Sequence, residues 1–594
     1  MQAEIIRERL ATLRSWMSSH EIDAFVFPST DPHQGEYVPD HWKGREWISG
    51  FDGSAGTVVI TANDAALWTD SRYFIAAAQQ LAGTGITLMR ERIPETPTIA
   101  QWLADVMGTG KVGIDGMVND VTSVETLRHE LQETGSMDLV TDFDPLADIW
   151  TDRPDIPMNP VVLHPLEYAG EPATSKLARI RKAMTEKHAQ SMLVTALDDI
   201  AWTLNLRGSD VHCNPVCVAY LLITQQRTTL FVDARKISPE VADYLRLEGV
   251  ETADYETVID ALSTLVEMPV LLDPAAVNYT LFMAVKGQVV RETSPIPAMK
   301  SVKNEAEIEG YRRAMTRDGV AMVKYLSRMR QYVEEGQETE ISLDRRLTAY
   351  RAESPLFRGL SFDTIAAYGP HGAIVHYEAT PETDIPLEQR GLVLIDSGGQ
   401  YLDGTTDITR TIALGELTDR EREVYTLVLK GHIQLQLLKF PKGACGSQLD
   451  AVARRDLWKA GLNFLHGTGH GVGSYLNVHE GPHQIRMEWK PAPLLSGMTV
   501  TDEPGIYIEN EFGVRIENTL LVVPYMTTAF GEFLQFETLT LCPIDLTPVV
   551  TEMLSDEEIQ WLNDYHQRVF EVLSPYLNDT ERGWLKNATK RLER

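Results

Sequence analysis

The stretches "GLVLIDSG" (391–398) and "GTTDITRTIAL" (404–414) decide the fold of the C-terminal half, because they predict two antiparallel strands joined by a turn. A second pair of the same kind follows in "GMTVTDEPG" (497–505) and "GVRIENTLLVV" (513–523). Two similar strand pairs within one region indicate a domain built from two related halves.

Each predicted pair carries two carboxylates in matching places. Asp396 and Glu503 end the first strand of their pair, and Asp407 and Glu517 lie inside the second strand. Taken singly, each could be a turn residue or could face solvent. Carboxylates flanked by valine, leucine and isoleucine are costly to bury unless they are paired or bind metal, so the matched set favours a pseudo-twofold metal site.

The run "HGTGHGVG" (466–473) adds an imidazole to this set. It has no lysine for a phosphate loop, and four glycines in eight residues rule out a zinc-protease helix. Glycine at this density predicts a loop whose backbone passes close to a neighbouring group. We therefore predict His470 as the fifth ligand and His466 as a supporting partner.

Charge balance favours two divalent ions, since the four carboxylates supply four negative charges. Paired metal ions are a recurring device for activating water and stabilising the oxygen that gains charge. Carboxylate-rich ligation favours a hard ion such as Mn²⁺, although Co²⁺ or Zn²⁺ would also fit.

Proline-rich stretches predict the domain boundaries. "TDRPDIPMNPVVLHP" (151–165) and "ETSPIPAMKS" (292–301) divide the 594 residues into domains at 1–157, 158–298 and 299–594. The last is predicted to begin with a long helix at 304–332 and to end with a helical extension.

The first two domains resemble each other. "EWISGFDGSAG" (46–56) matches "AWTLNLRGSDV" (201–211), and "ALWTDSRYF" (66–74) matches "TLFVDARKI" (229–237). Each half also begins with a helix followed by a β run. We therefore expect two related α/β domains that arose by duplication.

Composition narrows the class of protein. The net charge of −31 disfavours nucleic acid and anionic membrane surfaces as partners. Four scattered cysteines favour a reducing cytoplasm. Residues 1–20 predict an amphipathic helix rather than a signal peptide, with Ile5, Ile6, Leu10, Leu13 and Met17 on one side, and no apolar run reaches transmembrane length.

These motifs together resemble the pita-bread metallopeptidases, and within them the long three-domain cytosolic Xaa-Pro aminopeptidases. The resemblance spans nearly the whole chain through stretches that include "SGFDGSAGT", "WTDSRYF", "GAIVHYEATPET", "HGTGHGVGSYLNVHEGP", "TDEPGIY" and "VRIEN". It implies an α/β (α+β) chain with a pita-bread catalytic domain, a homodimer formed through that domain, and two Mn²⁺ ions bound by Asp396, Asp407, His470, Glu503 and Glu517.

The resemblance also assigns roles around the metals. It implies that His376 and His479 handle substrate and protons, that Glu503 shuttles a proton, and that Arg72 contacts the peptide. His470, Tyr507 and Arg515 are further expected beside the substrate, and Arg515 shares a strand face with Glu517 by period-two geometry.

The implied activity is release of the N-terminal residue from short peptides with proline second. A prolidase shares the metal set, but the duplicated N-terminal domains fit the aminopeptidase better. A methionine aminopeptidase would not need some 300 residues before its catalytic domain. A non-catalytic peptide-binding relative would typically have lost ligands, and this chain has all five.

Overall fold

The N-terminal part of the protein contains two six-stranded sheets of the same topology. The computed structural model describes residues 2–594. The first region comprises strands β1 (Ala24–Phe27), β2 (Thr57–Thr61), β3 (Ala65–Thr69), β4 (Thr87–Arg90), β5 (Gly110–Gly113) and β6 (Met137–Val140), with helices α1 (Gln2–Ser19), α2 (Gly44–Ser49), α3 (Phe74–Gln80), α4 (Ile99–Val106), α5 (Val121–Gly135) and α6 (Leu146–Ile149).

The second region repeats this arrangement. Its strands are β7 (Val162–Leu163), β8 (Ser191–Val194), β9 (Leu206–Arg207), β10 (Tyr220–Thr224), β11 (Thr228–Phe231), β12 (Glu251–Ala253), β13 (Val270–Leu272) and β14 (Val289–Arg291). Its helices are α7 (Leu166–Ala169), α8 (Ala173–Glu186), α9 (Leu197–Leu204), α10 (Pro239–Leu247), α11 (Val258–Ser263), α12 (Tyr279–Ala284) and α13 (Ile296–Ser301).

Strand order confirms the predicted relationship between these regions. The sheets run β4-β3-β2-β1-β5-β6 and β12-β11-β10-β8-β13-β14. In each sheet the three strands of a central antiparallel meander are flanked by parallel strands at the edges. Matching strand order and direction is the signature that a duplicated α/β domain would leave.

The third region carries the predicted carboxylates. Its helices are α14 (Glu305–Glu334), α15 (Glu340–Arg351), α16 (Asp419–Leu437), α17 (Gly446–Lys459), α18 (Asp556–Leu573) and α19 (Asp579–Ala588). Its strands are β15 (Phe357–Leu360), β16 (Ile365–Tyr368), β17 (Leu392–Ser397), β18 (Gly399–Tyr401), β19 (Gly404–Thr405), β20 (Ile408–Ala413), β21 (Lys439–Pro441), β22 (Gly469–Gly471), β23 (Glu480–Ile485), β24 (Thr499–Asp502), β25 (Gly505–Ile508), β26 (Phe512–Arg515), β27 (Asn518–Thr528) and β28 (Gly531–Thr538).

Contacts divide the chain into two compact units. One unit contains the residues up to His164 and the segment Glu171–Ile296. The other contains Pro165–Gly170 and Pro297–Arg594. Val323 of α14, Val428 of α16 and Val569 of α18 are buried in one core cluster of the second unit. Helices thus cover the sheets that carry the site. Across residues 2–594, no helix combines the length and apolar character that crossing a bilayer requires.

Predictions about α1 and about two of the strands were wrong. Ile5 was expected on the buried side of α1, but it is 43% exposed, and Trp16 is buried on that helix instead. The segments 404–414 and 513–523 were expected as single strands, but each is interrupted, between β19 and β20 and between β26 and β27. Asp407 and Glu517 lie in these interruptions, immediately before β20 and β27 respectively.

Candidate metal centre

Four carboxylates converge from the two strand pairs. Asp396 is the second-last residue of β17. This strand pairs with β20, and the pairing partner of Asp396 is Thr409. Glu503 directly follows β24, whose last residue Asp502 pairs with Asn518 at the start of β27. Both pairs are antiparallel. In each pair one carboxylate lies at the end of the first strand and the other lies just before the second strand.

The two halves are joined directly at the interruptions. The backbone N–H of Glu517 donates to the carbonyl oxygen of Thr409 at 3.1 Å. The hydroxyl of Thr519 donates to the carbonyl oxygen of Asp407 at 3.0 Å. The hydroxyl of Thr409 also donates to Oε2 of Glu517 at 2.8 Å, which orients that carboxylate. The strands break here because their backbone groups bond across the halves rather than along their own ladder.

His470 brings the imidazole to the carboxylates. Its Nε2 lies 3.5 Å from Oδ2 of Asp407 and 3.3 Å from Oε1 of Glu503. Its Nδ1 lies 2.8 Å from the carbonyl oxygen of Gly471. Because that carbonyl can only accept, Nδ1 carries a proton, and Nε2 is the ring nitrogen that faces the carboxylates. Ligand atoms of Asp407, His470 and Glu517 all lie within 4.8 Å of one another.

The glycines beside His470 are required by close backbone neighbours. A Cβ on Gly469 would lie 1.9 Å from the carbonyl oxygen of Thr501, and one on Gly471 would lie 2.5 Å from that of Glu480. The segment is the short strand β22 rather than the predicted loop, and it pairs with β23. The close approach expected from the glycines is therefore an approach to neighbouring strands.

The donor set fits divalent cations. Burial and the neighbouring Asp396 carboxylate raise the pKa of Asp407 to about 8, and burial and Asp407 raise the pKa of Glu517 well above its usual range. Within the described chain, Oδ1 of Asp396 is buried without a hydrogen-bond partner. Buried acceptors and crowded carboxylates are the features that cations stabilise.

Glu503 and His470 differ from the other residues of the cluster, because their pKa shifts favour the charged form of each. Burial opposes both charges, but the hydrogen bond between them raises the pKa of His470 to about 9 and lowers that of Glu503 to about 2. Without a cation the imidazolium provides the positive charge in the cluster. A metal ion would take that role and leave the imidazole neutral.

Arg515 and Tyr507 support the cluster. The Arg515 guanidinium donates to Oδ2 of Asp396 through Nη2 at 2.7 Å and Nε at 3.0 Å. Its Nη1 donates to the hydroxyl of Tyr507 at 2.7 Å, and that hydroxyl lies 2.8 Å from Nε2 of His466. His466 thus reaches Asp396 through two side chains, and burial lowers its pKa to about 4.

The predicted proton-handling histidines border the site. The ring of His479 is perpendicular to that of His470, with centroids 4.4 Å apart. His376 is half-buried in the turn that follows Gly369–Ala373, and the adjacent carbonyl of Val375 accepts from Arg515 at 3.3 Å. Both histidines belong to the unit that holds the carboxylates.

Arg72 belongs to the other compact unit. Its guanidinium donates to both oxygens of Asp70, through Nε at 2.9 Å and Nη2 at 2.8 Å. Arg235 forms the same pair with Asp233 in the repeated domain, at 3.0 Å and 2.7 Å. The pairing is therefore a shared feature of both domains and does not by itself distinguish a substrate contact.

Sequence reasoning missed the residues that orient the carboxylates. Thr409 and Thr501 bond Glu517 and Glu503, at 2.8 Å and 3.1 Å. Each lies two positions from a predicted ligand, Asp407 or Glu503 respectively, so period-two spacing could have identified them. Glu480, which follows His479, forms a buried ion pair with Lys303 that no local pattern signals.

Comparisons with known proteins agree with this site. Models of the Creatinase/Prolidase N-terminal domain match residues 9–148 and 152–307, that of Metallopeptidase family M24 matches 309–524, and that of the C-terminal region of peptidase M24 matches 532–592. These matches and the cluster of carboxylates define an M24 metallopeptidase.

Relatives that match along nearly their full length identify the family within this class. Aminopeptidase P1 of Arabidopsis thaliana is 39% identical over 98% of this chain and 99% of its own length. A probable Xaa-Pro aminopeptidase P of Laccaria bicolor is 41% identical over 98% of this chain and 92% of its own length. The chain belongs to the aminopeptidase P family, the Xaa-Pro aminopeptidases.

Solved structures resemble this chain over different extents. The X-prolyl aminopeptidase of Caenorhabditis elegans, described as a cytosolic enzyme with a di-nuclear active site, is 34% identical, with a TM-score of 0.95 over 99% of this chain and 100% of its own. The Xaa-Pro dipeptidase of Bacillus anthracis is 25% identical, with a TM-score of 0.52 over 64% of this chain and 100% of its own.

Proposed function

We propose that this protein is a metal-dependent aminopeptidase that releases the N-terminal residue from short peptides with proline in the second position. The observation that carries the proposal is the convergence of Asp407, His470 and Glu517 within 4.8 Å, at the junction of two strand pairs that also bring Asp396 and Glu503. Full-length similarity to aminopeptidase P supports the same substrate class.

The proposed cofactor is a pair of divalent ions, Mn²⁺ by preference, held by Asp396, Asp407, His470, Glu503 and Glu517. Their four carboxylates balance the charge of two such ions. When bound, the ions supply Lewis-acid polarisation and lower the pKa of a water molecule. The protein residues position that chemistry, because Arg515, Thr409 and Thr501 hold three of the carboxylates in place.

The remaining side chains are proposed to handle substrate and protons. His479, whose ring packs against that of His470, and His376 would donate to the oxygen that gains negative charge during attack on the carbonyl. Glu503 would carry a proton toward the leaving proline nitrogen. Tyr507 and Arg515 would form the wall beside the substrate as well as support Asp396.

Proline in the second position suits such a site. The Xaa-Pro bond is a tertiary amide without an N–H, so an enzyme that must bind that N–H handles it poorly. A site in which metal ions would polarise the carbonyl oxygen does not depend on that N–H.

A dipeptide-specific prolidase is the alternative that shares the metal ligands. The dipeptidase of Bacillus anthracis corresponds to 64% of this chain, whereas the aminopeptidases correspond to nearly all of it. The match of the aminopeptidases over nearly the whole chain therefore favours the aminopeptidase.

The proposal also covers the domain boundaries, the oligomeric state, the role of Arg72 and the location in the cell. We propose three domains at 1–157, 158–298 and 299–594, a homodimer formed through the last, and a peptide contact for Arg72. A cytoplasmic location fits the four free cysteines and the cytosolic relative.

A direct assay tests the function. Purified protein with added Mn²⁺ should release the first residue from an Xaa-Pro-Yaa tripeptide, and removal of metal by a chelator should abolish this release. Cleavage of Xaa-Pro dipeptides alone would support the prolidase, and full activity in thoroughly metal-free protein would refute the metal site.

A further inference from the structure

A buried histidine of α16 lies beside the strands that lead to two of the proposed metal ligands. His432 has 0% exposure, and its ring contacts Asp502 of β24 and Asn518 of β27, which are directly opposed in the sheet. Asp502 immediately precedes Glu503, and Asn518 immediately follows Glu517. One side chain thus contacts the sequence neighbours of two ligands that lie on different segments of the chain.

The two ring nitrogens of His432 have partners of opposite kinds. Nδ1 lies 3.1 Å from Oδ2 of Asp502 and 3.2 Å from the carbonyl oxygen of the same residue. Nε2 lies 2.8 Å from the amide nitrogen of Gln436 and 3.1 Å from the amide nitrogen of Asn518. Because a carbonyl oxygen accepts and an amide nitrogen donates, His432 donates through Nδ1 and accepts through Nε2.

Other contacts fix the orientation of both amide groups. Oδ1 of Asn518 accepts from Nη2 of Arg410 at 2.8 Å, and a guanidinium group can only donate. The NH₂ group of Asn518 must therefore be the end that faces His432. Nε2 of Gln436 also donates to Oδ2 of Asp502 at 3.0 Å, which places its NH₂ group between that carboxylate and the ring.

The bond from Nδ1 holds the peptide group that precedes Glu503. The carbonyl of this peptide group belongs to Asp502 and accepts from His432. Its N–H belongs to Glu503 and donates to the carbonyl oxygen of Thr468 at 2.8 Å. Both polar ends of the peptide group are therefore bonded, and the backbone from which the Glu503 side chain extends is fixed.

The bond to Nε2 connects the ring to the backbone of Glu517. The carbonyl oxygen of Glu517 accepts from Nη1 of Arg410 at 2.6 Å, and the same guanidinium group bonds the side chain of Asn518. Asn518 in turn donates to His432. The network therefore runs from the backbone of one ligand to the backbone of the other through the imidazole ring.

A polar residue at this position of α16 is informative because its neighbours are apolar. Leu429, Ile433 and Leu435 are each 0% exposed. An apolar side chain at position 432 would pack there without hydrogen-bond partners, whereas a buried imidazole is costly unless its nitrogens are bonded. Both nitrogens of His432 are bonded, and a buried ring held at both ends is rigid.

We propose that His432 is a positioning residue of the metal centre, which fixes the separation of the Glu503 and Glu517 carboxylates by linking Asp502 to Asn518. This inference rests on the proposed dinuclear metal site and adds to it a residue that is not itself a ligand. Groups that orient ligands typically contribute roughly 10–100-fold to metal affinity. Because His432 acts through the neighbours of the ligands, we expect an effect of about tenfold.

Two buried histidines provide a matched pair of variants. His432→Phe keeps a planar ring but removes both nitrogens. His566→Phe makes the same change in α18, at a residue that is 1% exposed and whose Nε2 accepts from the backbone N–H of Ile544 at 3.0 Å. Each variant loses buried hydrogen bonds, so urea unfolding of the metal-free proteins should show both to be less stable than the wild type.

Calorimetric titration of the metal-free, full-length proteins with Mn²⁺ separates positioning from stability. His432→Phe should bind Mn²⁺ about tenfold more weakly than the wild-type protein, and His566→Phe should bind it equally well. Equal affinity in all three proteins, or an equal loss in both variants, would refute the positioning role. Failure of the wild-type protein itself to bind Mn²⁺ would instead refute the metal site on which this inference rests.

A conservative variant tests the link to Asn518 and applies even if His432→Phe does not fold. His432→Asn retains an amide donor in place of Nδ1 but has no acceptor in place of Nε2. Its affinity for Mn²⁺ should lie between those of His432→Phe and the wild-type protein. Wild-type affinity in His432→Asn would show that the connection through Asn518 has no effect and would overturn the proposal.

Discussion

The two histidines of "HGTGHGVG" offer a matched test of the metal centre, because the structure gives them different partners. His470→Ala removes a nitrogen that lies 3.3 Å from Glu503 and 3.5 Å from Asp407. His466→Ala removes a nitrogen that lies 2.8 Å from the hydroxyl of Tyr507. Each variant replaces the same imidazole within the same short segment.

The expected magnitudes follow from these contacts. Changing a residue that only supports a ligand typically lowers metal affinity or activity by roughly 10–100-fold, so His466→Ala should keep both ions and lose activity within that range. Loss of a ligand should exceed it, so His470→Ala should lower affinity by more than about 100-fold, or more than about 2.8 kcal/mol. The remaining carboxylates would also repel one another more strongly.

Elemental analysis of bound metal and one Xaa-Pro-Yaa assay distinguish the variants. The His470→Ala protein should contain clearly fewer than two ions per chain and be nearly inactive, while circular dichroism shows both variants folded. If His466→Ala loses the metal and His470→Ala retains it, the ligand assignment is reversed and the reasoning from these contacts is wrong.

Three further predictions concern other parts of the protein. Thr409→Val keeps the side-chain volume but removes the 2.8 Å bond to Glu517, so metal titration should show roughly 10–100-fold weaker binding; unchanged affinity would mean that the hydroxyl does not orient the ligand. Arg72→Ala should lower activity while Arg235→Ala, which breaks the equivalent pair in the repeat, should not; equal kinetic constants in both would leave Arg72 a purely structural role. Burial raises the pKa of Asp31 from 3.8 to about 6, so the folded state holds this proton more tightly than the unfolded chain, and stability should fall by up to about 3 kcal/mol as pH rises through this window. Urea unfolding of Asp31→Asn should show a smaller loss between pH 4 and 6 than the wild-type protein, and an identical loss would contradict the burial argument.

Local signals made much of the catalytic unit predictable. The helix expected at 304–332 is α14, and capping boxes readable in the sequence at Thr418 and Ser555 begin α16 and α18. Each signal involves residues three positions apart, so it is complete within the sequence itself. The carboxylates were identifiable for a similar reason, since charged residues within apolar strands conflict with burial.

Features that depend on distant contacts could not be predicted. Nothing within 404–414 or 513–523 shows that the strands break beside Asp407 and Glu517, because the competing bonds come from the other half of the site. The exposure of Ile5 has the same origin, since its apolar character does not reveal which neighbours pack against α1. Long-range packing overrides the local pattern in both cases.

The bond between Thr409 and Glu517 joins residues 108 positions apart, and this distance affects how the protein is made. During synthesis the chain releases Asp396 and Asp407 well before Glu503 and Glu517 exist, so the early carboxylates have no partners to complete a high-affinity site. Contacts of such large sequence separation slow folding, because a long loop must close before they form. The proposed site is therefore complete only after both halves have docked, and a product truncated before Glu503 should bind the ions weakly.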